Sequence, residues 1–216
     1  MGPPVELVIF DCDGVLVDSE RIAVAVHVAI GAVLGWPLTE AEVLHQFVGR
    51  SPGVNFERIS AAVGPRQAAL WRKQFEELHH AAIDAELSAV DGVHEVLEIL
   101  ALPSCVASGG SHDTMRRTLG RTGLDSYFEG RIFSASEVSH GKPAPDLFLH
   151  AAKRMGFPAT VCVVVEDSQY GVKAARAAGM RSFGYAGGLT PAEWLEGTDT
   201  VVFDDMRQLP TLLADS

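Results

Sequence analysis

The sequence predicts an α/β fold in which helices cover both faces of a parallel sheet, with an all-helical insertion after the first strand. Three observations support this prediction: short apolar runs recur along the chain, helical patterns lie between most of them, and a long helical interval follows the first run. Residues 7–10 and 161–165, for example, are apolar throughout and do not alternate with polar residues. This pattern is typical of strands that are buried on both faces.

The predicted strands are rich in β-branched residues and are followed by polar residues or glycine. They cover residues 5–10, 104–107, 131–133, 161–165, 181–185 and 200–203. Helical patterns cover residues 93–100, 112–122, 146–155 and 169–178, and Gly179 ends the last of them at a C′ position. Because strands and helices alternate, we expect the strands to run parallel.

The interval between the first two strands is too long for an ordinary crossover. Residues 18–87 show successive helical patterns with breaks at 35–37, 49–53 and 64–65, and no strand pattern interrupts them. A crossover needs only about a dozen residues, so this interval predicts an inserted domain. We therefore expect a sheet-containing core formed by residues 1–17 and 88–216, and a helical domain formed by residues 18–87.

Composition excludes several classes of partner. The formal net charge is −11, from 17 Lys and Arg against 28 Asp and Glu, which argues against nucleic acid or an anionic membrane as the main partner. The longest apolar stretch, residues 22–36, contains His27 and is too short to span a bilayer. Cys12, Cys105 and Cys162 are widely spaced and lie in or beside apolar runs. Such cysteines are expected to be reduced thiols of a cytoplasmic protein.

Polar side chains follow several strands at the edge where parallel sheets bind ligands, beyond the carboxyl ends of the strands. The relevant segments are Asp11-Cys-Asp13 after the first strand, Ser108-Gly-Gly after the second, Gly141-Lys-Pro before a helix, and Glu166-Asp-Ser after the fourth strand. We expect carboxylates, a hydroxyl beside glycines and a lysine to converge on this edge. Together they predict a magnesium-assisted phosphate site.

Each of these residue types suits that chemistry. Magnesium prefers hard oxygen ligands and is commonly held by one or two carboxylates with phosphate oxygens and water, so Asp11 and Asp167 could share an ion. Lys142, together with the metal, could place positive charge beside a phosphoryl group. Ser108 and the amides of Gly109 and Gly110 could donate hydrogen bonds to phosphate without crowding it.

Asp11 and Asp13 suit two different steps of phosphoryl transfer. A carboxylate such as Asp11 can attack phosphorus and form an aspartyl phosphate. Asp13, two residues later, is placed to protonate the leaving oxygen and afterwards to activate water. A shared cation would explain why Asp11, Asp13 and Asp18 lie so close together in the sequence. The alternative is an ordinary turn, in which Asp-Gly and Asp-Ser are common.

Taken in order, these segments resemble the four motifs of the haloacid dehalogenase-like superfamily. The matching segments are Asp11-Cys-Asp-Gly-Val-Leu-Val-Asp-Ser19, Ser108, Lys142-Pro143 and Glu166-Asp-Ser-Gln-Tyr-Gly171. The resemblance implies a Rossmann-like catalytic core, Asp11 as nucleophile, Asp13 as general acid and base, and Ser108 and Lys142 as phosphate contacts. It also implies magnesium held by Asp11, the Asp13 carbonyl and Asp167, with Glu166 as a direct ligand or an indirect partner. In relatives the Lys-Pro bond is often cis, so the same is expected of Lys142–Pro143.

The helical insertion is similar to the subclass I cap of the β-phosphoglucomutase-like phosphatases. The resemblance therefore implies a magnesium-dependent phosphomonoester hydrolase that acts on a small phosphorylated metabolite, such as a sugar phosphate. Arg50, beside Gly49 in a break between cap helices, is the candidate substrate-binding residue of the cap; a solvated surface arginine is the alternative. We expect a monomer or a weak homo-oligomer.

Three alternatives to a phosphatase stay open. Phosphomutases of this branch carry a histidine in the helix after the first motif and a lysine and an arginine around the cap glycine. Ala23, Val48 and Pro52 occupy those places here, which favours hydrolysis. A dehalogenase would share Asp11 but would need neither Asp13 nor a metal. A non-enzymatic phosphate-binding module would bind magnesium without turnover.

Other polar and aromatic residues are predicted to be structural. Asp18 is expected to cap a helix or to anchor a hinge, and Cys12 is expected to point into the core because side chains alternate along a strand. His79 and His80 are adjacent and so face different directions on a helix, which argues against a metal pair. Trp71 is expected in the core of the helical domain.

Overall fold

The chain divides into two compact units. A computed structural model describes residues 3–216. The core unit contains the described residues up to Asp18 together with Ser88–Ser216, and the helical unit is Ser19–Leu87. In chain order the elements are β1 (Leu7–Phe10), α1 (Glu20–Leu34), α2 (Glu40–Phe47), α3 (Pro52–Val63), α4 (Pro65–Glu86), α5 (Val93–Ile99), β2 (Ser104–Ser108), α6 (His112–Arg121), β3 (Ile132–Ser134), α7 (Asp146–Met155), β4 (Cys162–Glu166), α8 (Gln169–Ala177), β5 (Arg181–Tyr185), β6 (Thr200–Phe203) and α9 (Leu209–Ala214).

The core unit is built on a parallel sheet. Its strand order is β3-β2-β1-β4-β5-β6, and every neighbouring pair is parallel. The order of the strands reverses between β1 and β4, and in such sheets the crevice beyond the carboxyl ends at the reversal is the usual ligand site. The predicted α/β fold with a Rossmann-like sheet is confirmed.

Both faces of the inner strands β1, β2 and β4 are buried, which explains why these strands are mostly apolar. One face packs against apolar residues of α7 and α8, and its members in the strands are Leu7, Ile9, Cys105, Ala107, Phe133, Cys162 and Val164. On the other face, the ring of Phe10 meets the ring of Phe128 edge-on, with their centroids 6.0 Å apart. Cys12 is fully buried as predicted, and its Sγ lies 3.8 Å from Thr118 Oγ1.

Three strands extend one residue beyond their predicted ends. β2, β3 and β4 end at the polar residues Ser108, Ser134 and Glu166. Ser108 pairs with Ser134, and Glu166 pairs with Gly184, so the backbone ladder continues past the last apolar side chain. Hydropathy marks only the apolar part of a strand, and this is why the sequence prediction ended early.

The helical unit is formed by α1–α4 and has an aromatic core. Trp71 is fully buried, as predicted, and its Nε1 donates a hydrogen bond to His27 Nδ1 at 3.0 Å. The ring of His27 stacks between the rings of Phe47 and Phe75, with centroid distances of 4.8 and 4.3 Å. Burial, and secondarily the neighbouring His79, lower the pKa of His27 to about 4. His27 is therefore neutral at physiological pH.

No helix among the described residues is both long enough and apolar enough to cross a membrane.

Candidate active site

Three carboxylates meet at the carboxyl ends of β1 and β4. Asp11 directly follows β1, and its backbone N–H donates to Val165 O at 2.9 Å. Glu166 is the last residue of β4, and Asp167 follows it. Ligand oxygens of Asp11, Glu166 and Asp167 all lie within 4.8 Å of one another, and all three residues are buried. Such a set of hard oxygen donors could hold a divalent cation.

Lys142 lies against two of these carboxylates. Its Nζ is 2.8 Å from Asp11 Oδ2 and 2.6 Å from Glu166 Oε2, and its side chain is only 9% exposed. Burial alone would lower the pKa of Lys142, but the charges of Asp11 and Glu166 outweigh burial and raise it. The ammonium group is therefore held in its charged form. It offsets part of the negative charge that the sheet edge buries.

Each oxygen of the Glu166 carboxylate accepts hydrogen bonds from a different residue, Oε2 from Lys142 and Oε1 from Ser168. Burial and the charge of Asp11 raise the pKa of its carboxyl group, and Lys142 opposes this rise. Glu166 Oε1 accepts hydrogen bonds from Ser168 N at 3.0 Å and from Ser168 Oγ at 2.7 Å. Ser168 Oγ in turn accepts from Gly171 N at 3.0 Å and so caps α8. The start of α8 thus orients the carboxylate.

Two glycines are required by the close approach of these carboxylates. Gly14 has a φ of 75°, and a Cβ at this position would lie 2.0 Å from Asp167 Oδ2. A Cβ at Gly171 would lie 1.9 Å from the carboxylate carbon of Glu166. Real Cβ atoms do not approach other atoms this closely, so no larger residue fits either position without displacing a carboxylate. The sequence shows both glycines within the motifs, but their role follows only from the side-chain geometry.

Asp13 lies in the turn after Asp11. Cys12 O accepts from the amides of Leu16 and Val17, and Gly14 N donates to Val17 O, which closes the turn. Cys12 N donates to Asp11 Oδ1 at 2.8 Å and fixes that carboxylate as well. Asp13 Oδ2 lies 4.0 Å from the point where a Cβ of Gly110 would be. The turn therefore brings the Asp13 carboxylate beside the segment that follows β2.

The segment after β2, residues 108–111, is named here the Ser108 loop. Ser108 is buried, and its Oγ accepts a hydrogen bond from Gly110 N at 3.2 Å. A Cβ on Gly109 would meet no atom within 4 Å, so space is open beside it. Ser111 ends the loop and caps α6 by accepting from Thr114 N at 3.2 Å. A hydroxyl and backbone amides thus lie beside Asp13, as the sequence predicted for this edge.

Two expectations concern residues outside the carboxylate cluster. Asp18 is not the N-cap of α1, because Ser19 occupies that position. Instead, Asp18 N donates to Ser88 O at 3.0 Å. This bond joins the residue where the chain leaves the core unit to the residue where it returns, which fits the alternative of a hinge anchor. Arg50 lies in the helical unit between α2 and α3, directly before Ser51, the N-cap of α3.

The peptide bond between Lys142 and Pro143 is cis, as expected from the resemblance. The ring of His79 stacks on that of Phe75 with the centroids 5.0 Å apart. Burial, followed by the charge of His80, lowers the pKa of His79 to about 4. The ring contact of His79 agrees with a packing role, and the assignment of the pair as structural stays a prediction.

A doubly wound parallel sheet with buried carboxylates at its switch point, and a lysine bound to two of them, defines an α/β enzyme centred on acidic residues. The chain belongs to the haloacid dehalogenase-like hydrolases, whose family model matches residues 5–179. The predicted family and the predicted hydrolase class are confirmed.

Two curated relatives and one solved structure illustrate the similarity. The chain is 33% identical over 183 residues to a 6-phosphogluconate phosphatase of Escherichia coli, and the matched region covers 83% of this chain and 81% of that protein. It is 30% identical over 192 residues to the fructose-1-phosphate phosphatase YqaB of the same organism, with coverages of 80% and 92%. A haloacid dehalogenase-like protein of unknown function from Agrobacterium tumefaciens shares 35% identity, with a TM-score of 0.87 over 98% of both chains.

Proposed function

We propose that this chain is a magnesium-dependent phosphatase that hydrolyses a small phosphorylated metabolite, such as a sugar phosphate, through an aspartyl-phosphate intermediate. The observation that carries the proposal is the cluster of Asp11, Glu166 and Asp167 with Lys142 bound to two of its members. The names of the two E. coli relatives, both sugar-phosphate phosphatases, support the substrate class.

The carboxylate cluster fits magnesium because its donors are hard oxygens that approach one another closely. We propose that Asp11, the Asp13 carbonyl and Asp167 hold the ion, with Glu166 beside them. Both oxygens of Glu166 already accept hydrogen bonds from Lys142 or Ser168, which favours a supporting role. When bound, magnesium would neutralise charge on the phosphoryl oxygens.

The first step uses Asp11 and Asp13. A carboxylate oxygen of Asp11 attacks phosphorus, the bond from phosphorus to the leaving oxygen breaks, and Asp13 donates a proton to that oxygen. In the second step, Asp13 takes a proton from a water molecule that attacks the phosphorus. The bond between phosphorus and Asp11 then breaks, and inorganic phosphate leaves.

The remaining residues would hold the phosphoryl group during both steps. Ser108 and the amides of Gly109 and Gly110 donate hydrogen bonds to its oxygens, and Lys142 adds positive charge. We further propose that the helical unit, Ser19–Leu87, selects the substrate as a cap domain, with Arg50 as its substrate-binding residue. The three buried free cysteines support a reducing compartment, the cytoplasm.

The central test replaces Asp11. We expect Asp11→Asn to lower kcat for p-nitrophenyl phosphate at least about a thousandfold, since the nucleophile is lost. Chelation of magnesium should abolish wild-type turnover. Asp113→Asn is the matched control, because Asp113 is a highly exposed aspartate at the start of α6 and should leave kcat unchanged.

Near-normal activity of Asp11→Asn would contradict the nucleophile assignment. A panel of sugar phosphates that includes 6-phosphogluconate and fructose 1-phosphate would define the substrate. Product analysis of the same reactions separates the alternatives, because a hydrolase releases inorganic phosphate, a phosphomutase yields an isomeric sugar phosphate and a dehalogenase would release chloride only from a halogenated acid.

A further inference from the structure

A partly exposed hydrogen-bond network lies behind the Ser108 loop, and the side chains that form it belong to none of the sequence motifs. It begins at Ser134, the last residue of β3, which is fully buried and pairs with Ser108 in the sheet. Ser134 Oγ donates to Gly110 O at 2.6 Å. The same oxygen accepts from Ser136 N at 3.1 Å and from Ser136 Oγ at 2.9 Å. The hydroxyl of Ser134 is thus used as donor and acceptor at once.

Glu137 forms a second connection to the same loop. Its Oε1 accepts from Ser134 N at 2.7 Å and lies 2.8 Å from His112 Nε2. His112 is the first residue of α6 and directly follows the Ser108 loop. The short turn that ends β3 therefore contacts the loop at Gly110 and the residue directly after it at His112.

Glu137 is itself held by α7. Its Oε2 lies 3.1 Å from His150 Nε2 and 3.7 Å from Arg154 Nη1. Partial burial would raise the pKa of Glu137, but the hydrogen bonds from Ser134 N, His150 and His112 outweigh burial and lower it. Glu137 is therefore an ionised acceptor that joins the start of α6, the end of β3 and the surface of α7.

We propose that Ser134 and Glu137 are positioning residues that hold the Ser108 loop in the geometry needed to bind a phosphoryl group. This inference rests on the proposed function, because it assumes that Ser108 and the amides of Gly109 and Gly110 contact phosphate. Neither residue touches the phosphoryl group. Ser134 restrains the carbonyl of Gly110, and hence the direction of the neighbouring amides, while Glu137 restrains His112 at the end of the loop. Without these restraints the loop would have to become ordered when phosphate binds, and this entropy cost would weaken the binding of phosphate.

The test measures inhibition by inorganic phosphate as well as turnover. With p-nitrophenyl phosphate as substrate, we expect Ser134→Ala to raise both KM and the Ki of inorganic phosphate about five- to tenfold, the effect of one lost buried hydrogen bond. Because substrate and transition state lose the same contact, kcat should change by no more than about twofold. Ser182→Ala is the matched control: Ser182 is also buried in the sheet, but its Oγ lies 2.8 Å from Thr200 Oγ1 and forms no contact with the loop.

Glu137 provides an independent variant that leaves the core unchanged. Glu137→Ala should raise the Ki of phosphate, and Glu137→Gln should restore most of the affinity because one amide oxygen can still accept from Ser134 N and His112. A purely structural role would lower the melting temperature of Ser134→Ala and Ser182→Ala alike and would leave both Ki values unchanged. An unchanged Ki in folded Ser134→Ala and Glu137→Ala would overturn the inference alone. Absence of turnover in wild-type protein and in Ser182→Ala would overturn the proposed function together with it.

Discussion

The core unit and the helical unit bury polar groups in different ways. The core unit buries the carboxylates of Asp11, Glu166 and Asp167 beside the ammonium group of Lys142. The helical unit buries the neutral hydrogen-bonded pair of Trp71 and His27. A buried charge costs several kcal/mol unless it is compensated, whereas a neutral pair needs only its hydrogen bond. The stability of the core unit therefore depends on charge balance, and the stability of the helical unit depends on the protonation state of a histidine.

The difference also indicates where chemistry takes place. Apolar replacements of buried ion pairs are often as stable as the pairs themselves, so a cluster of like charges is not needed to hold a sheet together. Buried groups with displaced pKa values, such as Lys142 and Glu166, are typical of functional sites. The ring stack around His27 packs like an ordinary core. Three predictions test this comparison, in order of decreasing effect.

The largest effect is expected from removing the lysine of the cluster. Lys142→Met should lower the free energy of unfolding of the core unit by about 3–5 kcal/mol in the presence of a chelator, because it leaves buried carboxylates uncompensated. Urea unfolding at neutral pH measures this loss. Lys153→Met, at an exposed position of α7, is the control and should have little effect. Equal stability of Lys142→Met and wild type would show that charge balance does not govern this edge of the sheet.

The next effect concerns the space beside Glu166. Gly171→Ala should lower kcat/KM about a hundredfold, because the new Cβ would lie 1.9 Å from the Glu166 carboxylate carbon and would displace the site. Gly120→Ala is the matched control, since a Cβ at this helical glycine of α6 meets no atom within 4 Å. The control should keep full activity and gain about 0.5–1 kcal/mol of stability. Full activity of Gly171→Ala would show that the Glu166 carboxylate can move without cost.

The smallest effect is a pH dependence of the helical unit. The pKa of His27 falls from 6.5 to about 4 on folding, so its contribution is fully present above pH 6.5 and is lost as the pH falls through about 4. At pH 5 the unfolded chain is protonated at this residue and the native unit is not, which should cost about 2 kcal/mol. His79 shifts in the same direction and adds to the slope.

Urea unfolding between pH 7 and pH 5 measures this slope, and hydrogen exchange locates it within residues 19–87. The variant His27→Leu removes the titrating ring, so its slope should be clearly smaller than that of wild type. An identical slope in the two proteins would mean that protonation of His27 does not contribute to the pH dependence of stability.

Much of the fold follows from local patterns in the sequence. Apolar strands alternate with helical patterns, and these local features predict a parallel sheet with a helical insertion. The order of the strands does not follow from such patterns, because it depends on pairing between distant segments. β1, for example, lies between β2 and β4. The apolar pattern ends β2, β3 and β4 one residue early, because a polar side chain can still belong to a backbone ladder.

The candidate site follows from sequence only in part. The meeting of Asp11, Glu166 and Asp167 could be expected, since ends of parallel strands share one edge. The dependence of Glu166 on Ser168 and Gly171 could not, because it arises from side-chain distances of a few ångströms. Ser134 and Glu137 carry no signal of their own, since a serine and a glutamate in a turn are common in any sequence. The catalytic roles of Asp11, Asp13, Ser108 and Lys142 stay predictions.

The central place of β1 has a consequence for how the protein is made. β1 leaves the ribosome roughly 150 residues before its neighbour β4, which corresponds to about 10 to 30 seconds at usual rates of synthesis. During that time one edge of an apolar strand has no partner, while the helical segment that follows can already form. The nascent chain therefore exposes an apolar strand before the neighbour that covers this edge has been made, and it should depend on chaperone binding at β1 until the fourth strand emerges.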